Sequence, residues 1–110
     1  MPLFLCTPVI VATVQDILNI LQDIAADDLA ETWDNIGLLI GSPQSRVTSI
    51  LLGLDPTVEL LTQARTLEAE LIITHHPAIF HPLKALRTDQ PAGNFIGSAL
   101  RADINVIGCH

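Results

Sequence analysis

The amino-acid sequence predicts an α/β fold built from parallel-type βαβ units. Three observations carry that reading. Short runs rich in leucine and β-branched residues alternate with longer stretches of helical periodicity, in the order helix, strand, strand, helix, strand, helix, strand. Each strand run stops at turn-forming or polar residues: Gly41-Ser42-Pro43, Asp55-Pro56, His75-His76-Pro77 and, last, His110. Finally, 49% of the 110 residues are hydrophobic and the mean hydropathy is +0.47, a strong core signal in a chain of one-domain length.

Residues 1–12 are apolar but are interrupted by Pro2 and Pro8 and lack a basic flank. They are too short to span a bilayer and do not read as a signal peptide, so an apolar leader or an extended edge segment is expected. Residues 13–26 read as an amphipathic helix with Val14, Ile17, Leu18, Leu21, Ile24 and Ala25 inward. Thr13 suits its N-cap, and Asp16 suits its first turn. Residues 27–35 are acidic and polar around Trp33, the single tryptophan. Asp34 and Asn35 are either turn-forming caps beside a buried indole or groups facing a site.

Residues 36–41 form the first strand run, and residues 47–54 the second. Residues 57–68 read as a helix with Val58, Leu61, Ala64 and either Leu60 or Leu67 inward. Asp55 falls in the N-cap region of that helix. Its other reading is a carboxylate at a strand's carboxyl end. Residues 71–74 are the third strand, and His81 lies in the loop beyond it. Residues 92–102 read as a helix with Phe95, Ile96, Ala99 and Leu100 inward, weakened by Gly93 and Gly97. Residues 104–109 form the fourth strand.

Leu71-Ile72-Ile73-Thr74-His75-His76-Pro77 concentrates the chemistry. Pro77 removes a backbone donor and stops the strand. Two imidazoles at successive extended positions are expected to point to opposite sides, giving one nitrogen to each of two ions. The plain alternative is a pair of solvated loop histidines, since most histidines are not ligands. Right-handed crossovers would bring Asp55, His75, His76 and His110 to one rim of the sheet, where α/β folds place their ligand crevice.

A net charge of −7 and a pI near 4.7 argue against a nucleic-acid surface, and the five basic residues are scattered. No membrane partner is expected. Cys6 and Cys109 make no metal or redox motif, and reduced thiols are the expectation.

Glu31-Thr32-Trp33-Asp34-Asn35-Ile36-Gly37-Leu38, Ile40-Gly41, the Asp55 strand end, and Ile72-Ile73-Thr74-His75-His76-Pro77 through Phe80 resemble one family. It is the GTP cyclohydrolase I type 2 homologues, also called Nif-three-like dinuclear metal-centre proteins. The resemblance runs from about residue 13 to residue 110. It implies the N-terminal half of the Nif-three-like fold over residues 13–110, with the C-terminal part of the family fold missing. It also implies a cytoplasmic homo-oligomer, commonly a hexamer, holding two divalent ions per subunit. The metal could be zinc, iron, manganese or nickel. By the resemblance His75 and His76 are metal ligands, and His110 is an acid/base or outer-shell residue beside them. The substrate implied is a nucleotide or another phosphate-containing molecule, and the activity a metal-dependent hydrolysis. A non-catalytic metal-binding scaffold is the alternative. The bridging aspartate and the distal ligands of the family would fall beyond residue 110, so weak single-ion binding and bare apolar surface are expected of these residues alone.

Overall fold

The computed structural model describes residues 11–24 and 35–109. Within them, helix α1 (Val14–Ile24) precedes strand β1 (Gly37–Ile40). Strand β2 (Ile50–Gly53), helix α2 (Val58–Thr66), strand β3 (Leu71–Thr74), helix α3 (Pro91–Arg101) and strand β4 (Asn105–Gly108) follow. Residues 1–10 of the leader expected over residues 1–12, together with Trp33, Asp34 and His110, lie outside the described residues. Among the described residues no helix is long and apolar enough to cross a membrane.

The four strands form one sheet in the order β1-β4-β3-β2. β2, β3 and β4 run parallel, and their registers align Gly53 with Thr74 and Thr74 with Gly108. The two βαβ units are therefore present as expected. β1 departs from the parallel pattern: it pairs antiparallel with β4, with a register shift between Leu38 and Ile40. The cause is local. No crossover helix separates β1 from β2; residues 41–49 pass beneath the amino-terminal ends of the parallel strands from one outer strand to the other, so β1 and β2 run in opposite directions.

Side chains from alternate strand positions build two cores. On one face Ile40, Ile72 and Val106 pack with Leu61 and Ala64 of α2 and with Phe95, Ile96 and Ala99 of α3. On the other, Leu71 and Ile107 pack with Val14 of α1 and with Val47. α1 starts in a reciprocal cap: the Thr13 amide donates to Asp16 at 2.8 Å, and the Asp16 amide donates to the Thr13 hydroxyl at 3.3 Å. Ile24, expected inward, is 75% exposed. Val58 and Leu100 are exposed as well, and Leu60 rather than Leu67 joins the core. The stripes are thus narrower than the helical period allows: α2 packs chiefly on β2 and β3, and α3 on β1 and β4. Ile50, Leu52 and Leu54 at the edge strand β2 are also uncovered.

Gly93, read from the sequence as a weakness of α3, is buried, and a Cβ there would run into the backbone carbonyl of Arg87. The helix needs a glycine at that approach.

The amino-terminal edge of the parallel strands is tied by polar groups. The Asn105 amide nitrogen and its Nδ2 both donate to the Glu70 carbonyl, at 2.8 and 3.0 Å. Its Oδ1 accepts from the Ser42 amide at 2.9 Å. The Glu70 carboxylate accepts from the Thr48 amide, the Thr48 hydroxyl and the Ser49 amide at 2.9, 2.7 and 3.1 Å. Burial acts to raise the pKa of Glu70, but these hydrogen bonds outweigh it and hold the carboxyl below its ordinary value.

Asn105→Ala removes the acceptor from the Ser42 amide and should cost about 2–3 kcal/mol, read by urea unfolding. Glu70 has a lowered folded-state pKa, so its contribution is fully present above the ordinary glutamate range and is lost as the pH falls through the folded value. The Tm gap between wild type and Glu70→Gln should therefore be widest near neutrality and close in acid, as thermal melts over a pH series would show.

Candidate metal centre

The strand registers carry three chain segments to one rim. Asp55 follows β2, His75 and His76 follow β3, and Cys109 follows β4. The Cys109 amide donates to the Thr74 carbonyl at 2.8 Å, the His75 amide to Gly53 at 3.1 Å and the His76 amide to Leu54 at 3.0 Å. The rim is thereby stitched across β2, β3 and β4.

The histidine pair does not alternate as an extended strand would. β3 ends at Thr74, and His75 and His76 sit in a bend. The two rings lie side by side, with centroids 5.1 Å apart and planes tilted by 55°. The expectation of opposite directions is corrected by a neighbouring side chain. The Thr74 hydroxyl donates to the His76 carbonyl at 2.6 Å, closing a short turn over His75. Thr74 is fully buried, whereas both histidines are exposed.

Asp55 is not the cap of α2. Thr57 is: its side chain accepts from the Leu60 amide at 3.1 Å. Asp55 instead meets the rim, with Oδ1 2.5 Å from Nδ1 of His76. The sequence offered both readings, and the geometry takes the second. Thr74 is the residue the sequence reasoning missed. The available signal was a small hydroxyl residue directly before the two histidines, where strand pairing ends.

Asn35 lies beside the same segment. Its Nδ2 donates to the Ile79 carbonyl at 2.7 Å, so Asn35 meets the segment that follows His75-His76-Pro77. His81 is exposed in the following loop, its ring edge-on to Phe80 at 4.7 Å. A cavity of about 430 Å³ begins at Pro56, next to Asp55, and is lined by Thr57, Thr88, Gln90, Asn94 and Phe95 among others. Among the described residues no three His, Cys, Asp or Glu side chains converge closely enough to hold a metal ion by themselves.

Comparison with known proteins agrees with this architecture. A family model described as Duf34/NIF3 (NGG1p interacting factor 3) matches residues 12–110. The chain belongs to the DUF34/NIF3 family. Over 95 residues it is 43% identical to a Clostridium perfringens protein named GTP cyclohydrolase 1 type 2 homolog, covering 86% of this chain and 36% of that relative. Over 99 residues it is 38% identical to a Helicobacter pylori protein named GTP cyclohydrolase 1 type 2, covering 90% of this chain and 40% of the relative. Among solved structures, a Bacillus cereus protein related to NIF3 superposes with a TM-score of 0.87 at 35% identity, over 93% of this chain and 28% of the other. A Staphylococcus aureus hypothetical protein gives a TM-score of 0.90 at 34% identity, over 94% and 29% respectively. The DUF34/NIF3 chain described here therefore spans well under half the length of these relatives.

The turn over His75 yields a direct test. Thr74→Val keeps the shape of the buried side chain and removes its hydroxyl. It should lower stability by about 1–2 kcal/mol in chemical denaturation and change the histidine ring resonances in NMR spectra.

Proposed function

We propose that this chain supplies two imidazole donors, His75 and His76, to a divalent-metal centre serving hydrolysis of a nucleotide-like or phosphate-containing substrate. The observation that carries the reading is the side-by-side placement of the two rings, at a centroid distance of 5.1 Å, on the carboxyl rim of a parallel sheet. Two-metal sites hold their ions roughly 3.5–4 Å apart. Adjacent imidazoles each addressing its own ion match that scale. Imidazole with carboxylate suits zinc, iron, manganese or nickel, without selecting among them.

The residues fit as part of a donor set. His75 and His76 would hold the metal, with Asp55 bonded to the outer side of His76. Among the described residues no three-donor group forms, so further donors, including a bridging carboxylate, would have to come from elsewhere in the protein. When bound, divalent ions supply Lewis-acid polarisation of substrate oxygens and activation of water. This chain's own contribution is to orient two ring nitrogens on a stitched rim. His110 is proposed as the acid/base group, one residue beyond the Cys109 amide that ties β4 to Thr74. The names of the curated relatives support a guanine-nucleotide substrate. The uncovered apolar edge at Ile50, Leu52 and Leu54 supports burial within a homo-oligomer. A metal-binding scaffold without catalysis is the second reading.

Zinc, manganese and iron titrations of wild type and a His75→Ala/His76→Ala double variant test the site. Both side chains are exposed, so the variant should fold as the wild type does. The expected result is at least a tenfold loss of affinity for the preferred ion. Equal uptake by both proteins would sink the proposal. Loss of GTP turnover on placing the same substitutions in a full-length relative would favour the enzyme over the scaffold.

A further inference from the structure

We infer that Asp55 is the positioning residue of the rim, holding His76 in the tautomer that presents Nε2, and not Nδ1, to a metal ion. The inference rests on the metal reading of His76 given above and assigns a role to a residue at the end of a different strand.

Asp55 Oδ1 lies 2.5 Å from His76 Nδ1. A carboxylate only accepts, so the proton of a neutral ring must sit on Nδ1, and Nε2 then carries the lone pair. A histidine that ligates a metal commonly gives its other ring N–H to a carboxylate, which sets ring orientation and raises the basicity of the ligating nitrogen. The backbone prepares this contact. Donation from the His76 amide to Leu54 at 3.0 Å places the two chain segments side by side, one residue before Asp55. The Thr74 hydroxyl fixes the His76 carbonyl from the other side. Pro56 and the Thr57 cap of α2 follow Asp55, so a helix start anchors the carboxylate from behind. The two exposed side chains gain little stability from their contact in water. The consequence of their contact is orientation.

The experiment uses the metal-free chain and zinc alone. Long-range ¹H–¹⁵N spectra at mildly alkaline pH report which imidazole nitrogen carries the proton. In wild type, His76 should show a protonated Nδ1. Asp55→Ala should shift that ring toward the Nε2–H form, leave His75 largely unchanged, and lower zinc affinity about 10–100-fold. Asp55→Asn can still accept through its amide oxygen, so it should retain the wild-type tautomer and recover part of the affinity. A purely structural role for Asp55 would not move the tautomer. Amide spectra confirm that each variant is folded. An unprotonated Nδ1 in folded wild type, or an unchanged tautomer in folded Asp55→Ala, overturns the inference. The metal reading fails separately: wild type that takes up no more zinc than the double-histidine variant would remove the ligand role of His76 while its Asp55-dependent tautomer stood.

Discussion

The structure depends on the register of three short parallel strands, and Asn105 is where that register is enforced. Strands of four residues offer few ladder bonds, and a slip by one residue would exchange the two faces of the sheet. Asn105 resists the slip. Its backbone and side-chain nitrogens converge on Glu70 before β3, and its side-chain oxygen takes the Ser42 amide after β1. Gly41 is held close by the same geometry. Its φ of +111° admits glycine readily, and a Cβ there would collide with the Asn105 side chain. Glu70 carries the tie onward to Thr48 and Ser49 before β2. One polar strap thus fixes all four strands at one edge, and with them the positions of Asp55, His75 and Cys109 at the other.

Thr74 and Asn105 are the buried polar residues among those described, and they occupy opposite ends of the sheet. Both are hydrogen-bonded, as burial demands. Their tasks differ. Asn105 ties one strand to the ends of its neighbours, whereas Thr74 bends its own chain where the ladder runs out. The bend sets the direction of the two imidazoles, and the strap determines what they face.

Much of this was legible in the sequence, because periodicity and breakers report local preference directly. Leu61, Ala64, Phe95, Ile96 and Ala99 lie inward where helical spacing puts them. The direction of β1 was legible in principle, since a strand pair without an intervening helix cannot be parallel neighbours in a βαβ unit. It was hidden because β1 pairs with β4, a contact decided by the whole sheet. The exposed Val58 and Leu100 show the same limit. A helical stripe states which residues prefer burial, but the width of the sheet decides how many receive it.

The histidine pair shows why the site was harder to read than the fold. Alternation is a property of a strand, and it holds only while the ladder lasts. Pro77 marks where pairing must have ended, but the regular ladder already stops at Thr74, whose hydroxyl bonds the His76 carbonyl. In the bend that this bond closes, two residues of opposite expected direction lie as neighbours 5.1 Å apart. Asp55 follows the same logic. As a residue before Pro56 and a helix it had a sound local use as a cap, and only the parallel pairing of β2 with β3 brings it to His76. Thr57 takes the cap and releases the carboxylate for the rim. The chemistry of this rim therefore belongs to the pairing of strands: each functional side chain has an adequate local explanation in sequence, and sheet register gives it a different one.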